Sequence, residues 1–216
     1  MLLSLLFQQP ILFFAWAAAF LIALSFHEFS HALVATWLGD NTAKRMGRLT
    51  LNPVAHIDPI GLLAVFLIGF GWGKPVPYNP YNLKWPKWGP TVVAAAGPIS
   101  NLFMALVTGI LAFLLAPKFG CDNLLIIFLS IMTELNLALM VFNLIPLPPL
   151  DGSKALLAVL DGPQYAGFRQ FIETKGQLVL FGLILIDAIL GIGLFAGLFA
   201  GATAVFGHIV PLVCSI

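Results

Sequence analysis

The residues able to do chemistry are few, and the densest group is His27-Glu28-Phe29-Ser30-His31, inside an apolar run over residues 11–38. On a helix, residues i and i+4 lie on one face about one turn apart. Two imidazoles so placed can close on one metal ion, and Glu28 beside them can hold or deprotonate a water. Such strings also arise by chance in soluble helices. Here His27, Glu28 and His31 share a stretch that reads as lipid-spanning, where each ionisable group is costly unless used. A hydrolytic zinc site usually takes three protein ligands and keeps one position open. The third ligand must be a His, Glu or Asp at comparable depth, and the candidates are Asp151, Glu134, His56 and Asp58. Asp151 by itself reads as a cap for a short helix over 153–160. Pairing with the histidines is what makes it a ligand candidate.

The surrounding elements must hold these groups in a membrane. Of 216 residues, 60% are hydrophobic and 9% charged, against about 25% charged in soluble domains. Several runs reach the roughly 20 apolar residues that cross a bilayer, and they are continuous, so a helical bundle is expected and a barrel is not. The net charge of +1 says nothing about nucleic acid, but no basic stretch is long enough for a polyanion, and no nucleic-acid partner is expected. Cys121 and Cys214 have no metal-type spacing, and no disulfide framework is expected. Residues 1–38 lack a positive leader and a small-residue cleavage site, and read as retained.

Three spans are expected over residues 11–38, 92–115 and 124–145, with residues 1–9 as an interfacial lead-in. Residues 42–51 suggest a short hairpin around Gly47. The apolar run at 60–70 is about 17 Å long as helix, too short to cross a core of about 30 Å. Residues 72–90 carry Pro75, Pro77, Pro80, Pro86 and Pro90 among tryptophans and tyrosines, which predicts an extended loop at the interface. Residues 177–216 are almost unbroken in apolarity and would be roughly 60 Å as one helix. They must turn back or lie flat, and Gly191, Gly193, Gly197, Gly201 and Gly207 are the candidate breaks.

Basic residues favour the cytosolic side. If residues 11–38 run inward and 60–70 dip in and return, every Lys and Arg except Lys118 lies inside. The same topology brings Asp151 to the membrane side of His31. A full crossing at 60–70 would move Lys74, Lys84 and Lys87 outside and separate Asp151 from the histidines.

These motifs together resemble the site-2 protease family of intramembrane zinc metalloproteases. His27-Glu28-Phe29-Ser30-His31 matches the family's first motif. Asn143-Leu-Ile-Pro146-Leu-Pro-Pro-Leu-Asp151-Gly152 matches its second. Ala96-Gly97-Pro98-Ile99-Ser100-Asn101 and Gly73-Lys74-Pro75-Val76-Pro77 are similar to further family elements. The likeness covers roughly residues 11–154, and the tail beyond is generic. The resemblance implies a core of three helices with Zn2+ held by His27, His31 and Asp151. It implies Glu28 as the base that activates water and Asn143 as a stabiliser of the oxyanion. The chain reads as a minimal form without a PDZ or other regulatory domain.

The expectation is therefore one all-α polytopic membrane domain over 1–216, with a catalytic core at 11–154 and C-terminal membrane helices over 177–216. Its substrates would be transmembrane proteins of the same lipid bilayer, cut within or beside their spans, in the inner membrane of the cell. A substrate helix must unwind before its peptide bond is open to attack. The extended loop, at Gly73, Lys74, Pro75, Val76 and Pro77, could pair with the unwound segment as an added strand. Two other readings compete. A metal-ion carrier would use the same His and Asp groups, but it needs no Glu beside the ligands, and the chain shows no inverted repeat. An inactive scaffold of the same family is disfavoured because every implied catalytic residue is present.

Overall fold

The structure, a computed structural model, describes residues 2–68, 71–212 and 214. Its helices are α1 (Leu2–Gln8), α2 (Pro10–Trp37), α3 (Thr42–Arg45), α4 (Pro59–Ile68), α5 (Gly89–Phe119), α6 (Leu124–Asn143), α7 (Gly152–Val159), α8 (Ala166–Leu190) and α9 (Leu194–Ile209). The protein is an all-α polytopic membrane protein. Among the described residues, α2, α5 and α6 are each long and apolar enough to cross a bilayer, and α8 with α9 forms a bent fourth candidate.

Local chemistry sets the boundaries. Pro10 suits the first turn of α2, where its missing N–H costs nothing. Beyond Leu38 the chain reverses at Gly39, whose φ of 108° favours glycine. The Asn123 side chain accepts from Leu125 N at 2.9 Å and starts α6. α5 is longer than expected at both ends and runs through Pro98 and Pro117. Small residues let the three spans approach closely. α2 buries Ala19, Ala23, Ala32 and Ala35, and α5 buries Ala105, Gly109, Ala112 and Ala116. Large apolar side chains such as Phe14, Phe103 and Leu114 face outward, where lipid would lie.

The short apolar run returns to its starting level. Ile57 and Gly73 form an antiparallel bridge, and Lys74 N donates to His56 O at 2.8 Å. A Cβ on Gly61 would collide with the Trp72 carbonyl. The two ends of the excursion thus lie side by side, as a re-entrant segment requires. Residues 69 and 70 of that run lie outside the described residues, as do Met1 of the lead-in and 213, 215 and 216 of the tail.

Some expectations need correction, and others gain detail. The lead-in is helical, and α1 is separated from α2 only by a break at Gln9. Residues 42–51 are not a hairpin. Asp40 Oδ1 accepts from Thr42 N at 3.2 Å and Thr42 Oγ1 at 2.7 Å, which starts the short helix α3 before the turn at Gly47. Burial alone would push the Asp40 carboxyl up, but hydrogen bonds from Thr42, Asn82 and Asn79 outweigh it and hold it below the usual range. Those bonds also tie the end of α2 to the proline-rich loop.

The polar stretch at 161–176 is mostly helix, because α8 begins at Ala166. The break in the tail falls at Gly191 and Gly193, both left-handed, and α8 and α9 meet at 95°. Gly197, Gly201 and Gly207 lie inside α9. Asp187 is the cap across this break, accepting from Leu194 N at 2.7 Å. Finally, Cys121 and Cys214 form a disulfide, with Cα atoms 5.6 Å apart across a sequence separation of 93. It ties the α5–α6 turn to the end of the chain, a tertiary pairing that spacing alone does not reveal.

Candidate metal centre

His27 and His31 lie one turn apart on the buried face of α2. Asp151 comes to them from the segment that follows α6. After α6 the chain turns through 144–150, and a Cβ on Gly152 would collide with Leu144 O, so glycine is needed for this return. Asp151 stands at the N-cap position of α7 but makes no capping bond with its side chain. Its Oδ2 instead lies 3.2 Å from His27 Nε2 and 3.3 Å from His31 Nε2. The two Nε2 atoms are 3.0 Å apart.

This cluster is shaped for a metal ion. Four ligands about 2.0–2.1 Å from a tetrahedral zinc lie roughly 3.3 Å from one another, close to the three separations found. Asp151 Oδ2 and Glu28 Oε2 are buried without a hydrogen-bond partner, a costly arrangement unless something else meets them. Gly97 of α5 backs the pair. A Cβ there would lie 2.5 Å from His31 Nε2 and 2.6 Å from His27 Nε2. The space beside both Nε2 atoms is therefore open only because residue 97 has no side chain. Two nitrogens and a carboxylate oxygen are a zinc-type donor set, and they fit Zn2+.

The rings are fixed from α5. His31 Nδ1 lies 2.7 Å from Val93 O, which only accepts, so Nδ1 carries the hydrogen and Nε2 the lone pair. His27 Nδ1 lies 2.5 Å from Asn101 Oδ1. Val93, Gly97 and Asn101 recur every four residues on α5 and meet the i, i+4 pair on α2. The Asn at 101 and the Gly at 97 were visible in the sequence. Their contact with the histidines was not, because it depends on how two distant helices pair.

The other candidate ligands are engaged elsewhere. Asp58 accepts from Ile60 N and Gly61 N, both at 2.9 Å, and caps α4. His56 Nε2 donates to Thr50 O at 2.8 Å. Glu134 faces an apolar cavity between α1, α2, α6 and α9. Asn143 ends α6 with its Nδ2 bonded back to Leu139 O at 2.9 Å, and it makes no hydrogen bond to the cluster.

Gly73 to Pro77 run extended beside α2. A Cβ on Gly73 would lie 2.9 Å from Leu24 Cδ1, one helical turn from Glu28. Lys74 is anchored through its backbone, N to His56 O and O from Arg48 Nη2. Tyr78 follows, a residue the sequence did not single out. Burial pushes its phenol up, and the Asp151 charge adds to this, which marks Tyr78 as a neighbour of the site.

Fold and site together define a polytopic helical membrane protein with a two-histidine, one-carboxylate centre suited to zinc. The profile of Peptidase family M50 matches residues 120–186, which include Asn143 and Asp151. The chain is 42% identical over 142 residues to "Putative zinc metalloprotease YwhC" of Bacillus subtilis, covering 63% of this chain and 64% of that protein. It is 33% identical over 147 residues to "Putative zinc metalloprotease Rip2" of Mycolicibacterium smegmatis, covering 64% of this chain and 54% of that protein. It is 28% identical over 142 residues to a similarly named protein of Streptococcus pyogenes serotype M1, with 65% and 33% covered. The chain thus spans less than two thirds of these relatives' own length. No solved structure matches it significantly. These matches support the likeness to the site-2 protease family that the motifs suggest, with Peptidase family M50 matched over residues 120–186.

Proposed function

We propose that the protein is an intramembrane zinc metalloprotease that hydrolyses peptide bonds within or next to the transmembrane segments of membrane-protein substrates. The observation that carries this reading is the His27–His31–Asp151 cluster with Glu28 alongside, buried among three helices that can span a bilayer. His27, His31 and Asp151 would hold the ion. When bound, Zn2+ supplies a Lewis acid that polarises the scissile carbonyl and acidifies water. Glu28 takes a proton from the attacking water and passes it to the leaving amine, so that one water and one peptide bond become a carboxylic acid and an amine. Asn143, at the end of α6, is the candidate donor to the developing oxyanion, for which its side chain would leave Leu139 O.

Contacts place the loops around 84–91 and 151–169 at the same end as the metal cluster. Lys84 N donates to Leu38 O at 2.8 Å, Thr91 Oγ1 to Lys154 O at 3.1 Å, and Lys87 pairs with Asp161 at 3.1 Å. The positive-inside rule makes this end cytosolic. The opposite end holds Lys118 and the Cys121–Cys214 disulfide, which suits an oxidising compartment. A cell inner membrane with its outer face oxidising fits both. Water then reaches Glu28 from the cytosolic side.

The unwound substrate would pair with residues 73–77. Val76 N forms no hydrogen bond within the described residues, so it is open to an incoming strand. Val76→Pro removes that donor and keeps the extended backbone. It is expected to slow cleavage roughly 3- to 10-fold with zinc content unchanged. An undiminished rate would remove Val76 N from substrate pairing.

The test of the function is cleavage of a single-span reporter co-reconstituted with the purified protein in liposomes. Cleavage should stop with a zinc chelator and return with added Zn2+. A reporter left intact by the zinc-loaded protein across a panel of spans, or cleaved equally in chelator, would refute the reading.

A further inference from the structure

Two buried asparagines lie behind the metal cluster, and neither is accounted for by the ligand set. Asn101 and Asn136 are both 0% exposed. Asn101 Oδ1 meets His27 Nδ1 at 2.5 Å, and Asn101 Nδ2 meets Asn136 Oδ1 at 2.8 Å. Asn136 Nδ2 in turn meets Met132 O at 2.7 Å. An amide can face either way, but a carbonyl oxygen can only accept. Met132 O therefore fixes the direction of the chain. Asn136 must turn its NH2 to Met132 and its oxygen to Asn101. Asn101 must then donate to Asn136 and present its own oxygen to His27. His27 Nδ1 has only an acceptor before it, so it must carry the hydrogen.

We infer that Asn101 and Asn136 form a one-way relay that holds His27 with its proton on Nδ1 and so aims the Nε2 lone pair at the metal position. Neither residue touches the ion, and both are positioning residues. The relay crosses all three spanning helices, from α6 through α5 to α2. His31 receives the same setting directly from Val93 O. With both rings protonated at Nδ1, His27 Nε2, His31 Nε2 and Asp151 Oδ2 converge as three lone-pair donors with no hydrogen among them. That arrangement repels itself unless a cation sits there. Neutral amides achieve this without adding a charge in a fully buried place, where an unpaired charge is costly. Outer-shell partners of this kind are worth about 10–100-fold in metal affinity.

The inference rests on the metal site proposed above, and the experiment separates the two. Zinc affinity of the purified full-length protein is measured by competition with a chromophoric chelator. Asn101→Leu and Asn136→Leu keep similar volume and remove the relay. Each should weaken zinc binding on the order of 10–100-fold, whereas Asn101→Asp, which keeps an acceptor for Nδ1–H but loses the donor to Asn136, should bind zinc more tightly than Asn101→Leu. A leucine variant with wild-type affinity, or an Asn101→Asp variant as weak as Asn101→Leu, would overturn the relay. If the leucine variants do not fold, nitrogen NMR of zinc-loaded wild type labelled with 15N-histidine decides. His27 should be protonated at Nδ1 and metal-bound through Nε2, and the opposite tautomer overturns the relay. A wild type that takes up no zinc overturns the metal reading itself.

Discussion

Replacing Glu28 by Gln is expected to lower peptide cleavage about 10^2- to 10^4-fold, the range a positioned general base supplies, while zinc stays bound at the wild-type stoichiometry. Gln has the shape of Glu but cannot take a proton at neutral pH. Glu28 is buried, and its Oε2 has no hydrogen-bond partner. A carboxylate left so is poised to receive one. The variant also separates the competing readings. A metal carrier has no use for a proton acceptor beside its ligands and would move metal equally well without it. A scaffold would show no cleavage to lose. Full activity in Glu28→Gln, with intact zinc, would remove Glu28 from the chemistry.

Gly97→Ala should release the zinc. The added methyl would sit 2.5–2.6 Å from both ligand nitrogens, well inside van der Waals contact. The rings cannot simply swing away, because His27 is held through Asn101 and His31 through Val93 O. Accommodation therefore breaks at least one of the bonds that orient a ligand. Since losing one outer-shell partner weakens binding about 10–100-fold, and this change also occupies the space beside both ligands, the loss should be about 100-fold or more. Gly109→Ala is the control on the same helix. Its Cβ would lie 3.2–3.4 Å from Val210 and Phe206, far from the histidines, and zinc content should not change. The readout is zinc per chain by elemental mass spectrometry after dialysis. Equal retention in Gly97→Ala and wild type would mean that the ion, if any, is held elsewhere.

Much of this was legible in the sequence because the bilayer leaves so few options. Apolar runs without alternation must be helices, and ionisable residues inside them are rare enough to stand out. His27, Glu28 and His31 declare themselves by spacing alone. Asp151 was one candidate of several until its flanking Pro and Gly residues were matched to a family pattern. The structure brings it to the histidines while Asp58 and Asp187 serve as helix caps.

What was not legible depends on contacts between distant segments. The Cys121–Cys214 disulfide, the Asn101–Asn136 pair and the role of Gly97 all arise where separate helices meet, and no local period encodes them. The short helix α3 was mistaken for a hairpin because a Gly between mixed polar residues suits either. Asp40 decided it, through a bond to Thr42 that only a folded loop shows. The polar start of α8 was not legible as helix because polarity outside the membrane says little about helicity, and an Arg169–Glu173 pair one turn apart suits a solvated helix face.

The central claim is that this site cuts peptide bonds within the depth of the membrane. The most direct measurement is mass-spectrometric mapping of the cut in a single-span substrate co-reconstituted with the protein. The account predicts a cut within the hydrocarbon part of the span or at its edge, absent in Glu28→Gln. Cuts confined to the soluble flanks, or the same fragments from Glu28→Gln, would contradict it.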